Sequence, residues 1–370
     1  MKKKIIIASN TGWSVLNFFS GLIKTLLEEN LEVIVISPLD KCVPPLIHLG
    51  CKHIPIKMDS GGKNPFKDLY LFYRFYQILK FEKPSLFLSF TIKPTIYGSI
   101  ASHFLNIPSI ASIIGLGTLF IRRNWATYIA HILYKMALNK SKKVLFLNKE
   151  DMQLFVDKGL VHLAKAEYMP GSGIDLNHFG YKALPNLNKN ISFLLTARLL
   201  YEKGILEYVE AAKKIHLIYP EVQFKLLGFL NASNPSAISS SKIDEWVRNK
   251  HISYLGETND VRLFISASDC IVLPSYREGL PRSLLEGAAM GRPLITTNAI
   301  GCKDVVDDGI TGLLCKPRDA DDLANKMLTI IEMSVEARTE MGRKGREKIE
   351  KEFDEKIVTK QYLQTISQFM

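Results

Sequence analysis

The sequence lacks the marks of several protein classes. Its five cysteines (Cys42, Cys51, Cys270, Cys302 and Cys315) are odd in number and include no Cys-x-x-Cys spacing. That argues against a disulfide framework or a zinc site and for a reducing compartment. No uncharged apolar run reaches the ~18 residues of a membrane-spanning helix. The apolar stretch from Ser85 to Ile121 is interrupted by Lys93, Pro94, Asn106 and Pro108. The opening Met1-Lys2-Lys3-Lys4-Ile5-Ile6-Ile7-Ala8 begins like a leader, but Ser9, Asn10 and Thr11 break it at once, so it reads as a buried first strand. No Gly-x-Gly-x-x-Gly follows any expected strand and there is no P-loop, which disfavours a dinucleotide dehydrogenase and a P-loop nucleotidase.

What is present fits a globular α/β protein. At 370 residues and 47% hydrophobic content, the chain is long enough for two domains. Its net charge of +11 is unevenly placed. Residues 1–180 hold 22 Lys and Arg against 12 Asp and Glu, whereas the remainder holds 26 against 25. A basic N-terminal half suggests an anionic surface as partner, either membrane or nucleic acid.

Short apolar runs alternate with helical periods, the signature of repeated βαβ units. In the first half, strands are expected at Ile5–Ala8, Val33–Ser37, Leu86–Ser89, Ser109–Ile114, Lys143–Leu147 and Ala166–Met169. Amphipathic helices are expected at Val15–Glu29 and at the aromatic-rich Phe66–Phe81. The polar run Pro185–Asn190 reads as a linker, after which the alternation restarts at Ile191–Thr196. Expected domains are therefore 1–185 and 186–353, with a C-terminal helix over 354–370 crossing back to the first domain.

Two groups of residues carry chemistry. Arg198 and Lys203 follow the first strand of the second half, with Gly204 allowing a tight entry to the next helix. Paired cations at a strand end suit a diphosphate. Glu278 and Glu286 are eight positions apart, the first in a Gly-Pro loop after strand Cys270–Leu273 and the second on the following helix. Ionised carboxylates only accept hydrogen bonds, so at such a junction they read a ligand rich in hydroxyls. Pro281 fits the first helical position, and Glu286 shares a helix face with Arg282. The cluster Asp319, Asp321 and Asp322 looks like a metal-binding Asp-x-Asp but sits before a helix, so it reads as an N-cap. His103 reads as structural.

The run Leu273-Pro274-Ser275, Glu278-Gly279, Pro281, Leu285-Glu286 and Gly291-x-Pro293, then Gly301, Asp304 and Asp308-Gly309-x-x-Gly312, resembles family 4 retaining glycosyltransferases of the GT-B fold. So does Ala197-Arg198 with Glu202-Lys203-Gly204. In the N-terminal half, Lys93-Pro94-Thr95-Ile96-Tyr97-Gly98, Ile114-Gly115-Leu116-Gly117 and Pro170-Gly171-Ser172-Gly173 resemble a bacterial subgroup that assembles surface polysaccharides and lipid-linked oligosaccharides. That subgroup includes N-acetylgalactosaminyltransferases acting on undecaprenyl-diphosphate sugars.

The resemblance implies two Rossmann-like domains facing a central cleft. It implies that Arg198 and Lys203 stabilise the leaving nucleotide diphosphate and that Glu278 contacts donor-sugar hydroxyls. Backbone N–H groups of Gly279 and Leu280, beside Pro281, would help at the sugar and phosphate. Glu286 would bind the ribose, and Gly228, Tyr254 and Leu255 would lie near the nucleoside. Gly12 would allow close approach of phosphate or acceptor. Many relatives carry a histidine near the donor sugar where this chain reads Ser89-Phe90-Thr91-Ile92-Lys93, so Thr91 or Lys93, with Thr11, is the expected substitute. No metal or other cofactor is implied.

The segment Leu119–Lys143 interleaves apolar and aromatic residues with Arg122, Arg123, Lys142 and Lys143, the pattern of a basic helix lying on an anionic bilayer. The expected protein is thus a cytoplasmic enzyme held peripherally at the inner face of the membrane. Its expected partners are a nucleotide-sugar donor, a lipid-linked glycan acceptor and an anionic membrane surface, and no nucleic acid. A GT-B-shaped sugar-nucleotide epimerase and a non-catalytic nucleotide- or nucleic-acid-binding module are the alternatives.

Overall fold

The computed structural model describes residues 2–59, 64–115, 125–185, 191–230 and 234–370, with backbone alone for 125–127. The chain divides into two compact units, Met1–Gly173 with Glu355–Met370, and Ile174–Asp354.

The first unit runs β1 (Lys4–Ala8), α1 (Gly12–Glu28), β2 (Glu32–Ser37), α2 (Val43–His48), β3 (Lys52–Pro55), α3 (Pro65–Glu82) and β4 (Leu86–Phe90). It continues with α4 (Ser99–Phe104), β5 (Ser109–Ile113), α5 (Trp125–Asn139), β6 (Lys143–Phe146), α6 (Lys149–Asp157) and β7 (Ala166–Tyr168). The seven strands form one parallel sheet in the order β3-β2-β1-β4-β5-β6-β7. The central strands are buried along their whole length because helices cover both faces, which is why they read as unbroken apolar runs. Side-chain oxygens start the helices: Thr11 accepts from Ser14 N at 3.0 Å, and Asn64 accepts from Phe66 N just ahead of α3, which Pro65 opens.

The second unit runs β8 (Ser192–Thr196), α7 (Ile205–His216), β9 (Gln223–Leu227), α8 (Ser240–Arg248), β10 (Ser253–Tyr254), α9 (Arg262–Ser266) and β11 (Cys270–Leu273). Then follow α10 (Arg282–Ala289), β12 (Leu294–Thr297), β13 (Gly312–Cys315), α11 (Ala320–Glu332) and α12 (Val335–Glu352). Its sheet is parallel in the order β10-β9-β8-β11-β12-β13. Both units are therefore Rossmann-like, as the sequence led one to expect.

The division between units falls at Gly173, ahead of the expected boundary at 185. Residues after Ile174 fold with the second core: Ile174 and Phe179 are buried beside Leu284 and Ile349. Arg292, fully buried, donates to the carbonyls of Lys182 and Ala183 at 2.5 and 2.7 Å. Of the expected linker Pro185–Asn190, residues 186–190 lie outside the described residues. At the C-terminus, α13 (Glu355–Ser367) returns to the first unit, where Val358, Tyr362 and Ile366 share a core with Ile5, Ile7 and Phe19. All five cysteines are buried thiols.

Candidate active site

The carboxyl ends of parallel strands gather the loops of an α/β sheet. In the second unit, Tyr254 ends β10, and the loops after β8, β9, β10 and β11 hold Arg198, Lys203, Gly228, Leu255 and the segment Glu278–Pro281; those strands are neighbours in the sheet.

Lys203 and Glu278 meet directly. The ammonium Nζ is 2.5 Å from Glu278 Oε1, and the two side chains are only 15% and 14% exposed. Backbone contacts fix this pairing. The carbonyl of Glu202 accepts from Tyr276 N at 2.9 Å and from Ser275 Oγ at 3.0 Å, bolting the lysine turn to the loop after β11. Gly204 closes the same joint with φ +73°; a Cβ there would lie 2.0 Å from the carbonyl oxygen of Pro274. On the far side, Glu278 N donates to Ile300 O at 3.0 Å, and a Cβ on Gly301 would strike the Glu278 carbonyl at 2.3 Å. Glu278 is thus gripped between two loops.

Glu286 sits on α10, with its side chain 13% exposed. Arg282 Nε donates to its Oε1 at 3.0 Å, as the shared helix face predicts. Burial raises the carboxyl above its ordinary 4.5, and Arg282 partly opposes the rise. Pro281 is the N-cap of α10 rather than its first residue, in an extended conformation. Its backbone still has no N–H to leave unsatisfied.

Arg198 is exposed at the end of β8. Tyr254 spends its hydroxyl on the carbonyl of Gly228 at 2.8 Å, so it shapes the β9 loop, and Gly228 N donates to Gly256 O at 2.8 Å. Leu255 N is committed to Leu226 O at 2.8 Å. Sequence reasoning missed Tyr276. Its hydroxyl donates to Glu207 Oε1 at 2.7 Å and the Arg318 guanidinium lies 4.7 Å from its ring centre. Burial and then Glu207 push its ionisation upward, so it stays a donor. Only its place two residues before Glu278 could have marked it.

In the first unit, Thr11 and Gly12 open α1, and Asp40 braces that turn by accepting from Trp13 N at 3.0 Å. Thr91 adopts φ +68°, an unfavourable conformation for a β-branched residue, and its hydroxyl accepts from Asn10 N at 3.1 Å. The loops after β1 and β4 are thereby tied together. Lys93 differs from the expectation of a cation turned to ligand: its Nζ is 2.7 Å from Asp68 Oδ1 on α3, with both groups largely buried.

The expected membrane-docking cluster is described only in part. Arg122 and Arg123 lie outside the described residues. Lys142 lies between α5 and β6, and Lys143 opens β6, as the expected strand Lys143–Leu147 has it, and pairs with Glu167 at 3.6 Å. Strand pairing decides their place, since Lys142 N donates to Ser109 O at the β5 edge. Asp319 caps α11 by accepting from Asp322 N at 2.9 Å. His103 contacts Ser109 Oγ at 3.2 Å, and burial, helped by Lys140 and Lys165, lowers it to about 4.

Comparison with known proteins bears directly on this arrangement. Residues 4–148 match the family described as Glycosyl transferase 4-like, and residues 182–348 match Glycosyl transferases group 1. The chain is a glycosyltransferase. The group 1 match spans Arg198, Lys203, Glu278 and Glu286 together.

Among relatives of this glycosyltransferase is an N,N'-diacetylbacillosaminyl-diphospho-undecaprenol alpha-1,3-N-acetylgalactosaminyltransferase of Campylobacter jejuni. It is 28% identical over 377 residues, covering 97% of each chain. An Escherichia coli UDP-Gal:alpha-D-GlcNAc-diphosphoundecaprenol alpha-1,3-galactosyltransferase is 26% identical, over 73% of this chain and 72% of its own. Among solved structures, Anabaena HepE in complex with UDP and glucose superposes with a TM-score of 0.81 at 18% identity, over 99% of both chains. A glycosyltransferase from Rickettsia africae gives 0.78 at 19% identity, over 100% of this chain and 98% of its own. Those likenesses bear on the fold.

Proposed function

We propose that this glycosyltransferase moves a hexose or N-acetylhexosamine from a UDP-sugar to a polyprenyl-diphosphate-linked glycan, with retention at the anomeric carbon. The carrying observation is the Lys203–Glu278 pair, which sets a cation and a hydroxyl-reading carboxylate side by side at one strand-end junction. The names of the Campylobacter and Escherichia relatives support the lipid-linked acceptor.

In this reading, bond cleavage leaves an oxocarbenium-like sugar and a nucleotide diphosphate. Arg198 and Lys203 face the charge developing on the diphosphate, where each well-placed donor is worth about 3 kcal/mol. Backbone N–H groups at Gly279 and Leu280 add dipoles ahead of α10. Glu278 accepts from donor-sugar hydroxyls and Glu286 from the ribose. Tyr254 holds the Gly228 turn beside the nucleoside, with Leu255 next to it. Gly12, Thr11 and Thr91 belong to the acceptor or sugar side. Charge stabilisation by side chains and amides makes the proposed reaction metal-independent.

The work is placed at the inner face of a membrane, where such acceptors reside. The test is a panel of nucleotide sugars with lipid-linked acceptors, read by UDP release and product mass. Transfer from a UDP-sugar supports the reading; oligonucleotide binding or epimerised donor without UDP release contradicts it.

A further inference from the structure

The helices α3, α4 and α5 lie on one face of the first sheet. Leu71 and Phe75 of α3 and Ala101 of α4 pack with Phe87, while Tyr134 and Leu138 of α5 pack with Ala111. Phe87 and Ala111 point to the same side, because parallel register sets Ser89, two residues beyond Phe87, opposite Ala111. The ring of Phe72 meets Phe104 edge-on at 5.9 Å, joining α3 to α4.

The outer surface of this layer is unusual. On α3, Phe66, Leu69, Tyr70 and Tyr73 are 83%, 66%, 60% and 52% exposed. Their spacing of i, i+3, i+4 and i+7 makes one continuous stripe, a second apolar face opposite the one that builds the core. Phe104 of α4 and Tyr128, Ile132 and Met136 of α5 are also exposed. Scattered apolar residues need no explanation, but an apolar stripe repeated on neighbouring helices marks an interaction surface.

Charge identifies the partner. Both acids of α3 are turned inward: Asp68 pairs with Lys93 at 2.7 Å, and Glu82 bridges Lys4 at 3.0 Å and Lys52 at 2.6 Å. The charged groups that α3 leaves toward solvent are therefore cations, Lys67, Arg74 and Lys80. Beyond α3 the chain holds no Asp or Glu between Glu82 and Glu150, while α5 and the turn after it carry Lys135, Lys140 and Lys142. An apolar and tyrosine-rich surface bordered by cations and stripped of acids fits the headgroup boundary of an anionic bilayer.

We propose that the α3–α4–α5 face docks this enzyme on an anionic lipid bilayer, with the Phe66–Tyr73 stripe seated at the headgroup–acyl boundary. The inference rests on the lipid-linked acceptor reading for its purpose, since a water-soluble acceptor would require no bilayer. It adds a surface centred on α3 to the α5 region expected from sequence.

The test is flotation of the full-length protein with vesicles of phosphatidylcholine alone or with phosphatidylglycerol, in the absence of donor and acceptor. The wild type should bind the anionic vesicles and lose them as salt rises. Phe66→Ser with Tyr70→Ser should weaken that binding on the order of a hundredfold, because two anchors leave the boundary. Leu217→Ser, an exposed apolar residue of the second unit, should change nothing. UDP release with a short-chain, water-soluble acceptor should be equal in all three proteins, which shows that the double variant is folded and tests the transfer reading separately. Failure of the wild type to float, equal binding to neutral vesicles, or full binding by the double variant overturns the docking face. Absence of transfer with vesicle binding intact would instead count against the function.

Discussion

Glu278 Oε1 accepts from Lys203 Nζ at 2.5 Å, although the residues are 75 positions apart and on different loops. In the proposed mechanism the pair preorganises a cation for the leaving diphosphate, and the ion pair keeps the carboxylate from standing alone. Lys203→Ala should lower kcat about a hundredfold or more, the usual cost of removing one transition-state donor. It should also destabilise the protein by about 1–2 kcal/mol, less than for a fully buried pair because both groups keep some solvent. Steady-state UDP release and thermal melting check both parts.

Glu286 is assigned to the nucleotide rather than to the chemical step. Glu286→Ala should raise donor KM more than it lowers kcat. Because burial raises its pKa above 4.5, the carboxylate is protonated at a higher pH than an ordinary glutamate. Donor affinity should therefore fall as pH drops toward that raised value, and Glu286→Gln should remove this limb of the pH profile. The stability sign is opposite to that of a salt-bridged acid. The folded state holds the proton more tightly, so stability declines as pH rises from the unfolded pKa through the folded one. Glu286→Gln should then melt no lower than the wild type at neutral pH.

Tyr276 is a positioning residue, linked to Glu207 by its hydroxyl and to the lysine turn by its amide. Tyr276→Phe deletes only the 2.7 Å bond, worth about 1 kcal/mol. If that bond holds the Glu278 loop in register, kcat falls severalfold with donor KM unchanged. A change in melting temperature alone would confine Tyr276 to stability.

Gly204 admits no side chain. Gly204→Ala combines a left-handed backbone with a 2.0 Å clash against the Pro274 carbonyl. Loss of soluble protein, or of activity beyond that of Lys203→Ala, is the expected outcome in expression and UDP-release assays.

Asp319 tests the metal question from the other side. As an N-cap, Asp319→Ala should cost about 1 kcal/mol of stability and leave kcat unaltered. Chelator should not slow the reaction of either protein. A chelator-sensitive rate that Asp319→Ala abolishes would restore the Asp-x-Asp reading.

The parallel strands were legible because burial on both faces writes them as apolar runs, as in Ile5–Ala8 and Cys270–Leu273. Two edge strands were not: β3 reads Lys52-His53-Ile54-Pro55, polar and ending in proline, and β13 is the short Gly312-Leu313-Leu314-Cys315, placed by its pairing with β12. Helix α2 was hidden by Pro44 and Pro45, which are tolerated because both occupy its first turn. At the site, motif spacing located Lys203, Glu278 and Arg282–Glu286. It did not show that Lys203 contacts Glu278, nor that Lys93 is committed to Asp68, because both pairings are made by tertiary approach of loops and helices.

The central claim is that one junction, built on Lys203 and Glu278, performs retaining sugar transfer from a UDP-sugar. The most direct measurement is NMR of the anomeric linkage in the product formed from an α-linked UDP-N-acetylhexosamine or UDP-hexose and a polyprenyl-diphosphate-linked acceptor, with Lys203→Ala and Glu278→Ala run in parallel. An α-linked product that both variants make at least about a hundredfold more slowly is the predicted result. A β-linked product, or undiminished rates in the variants, would contradict it.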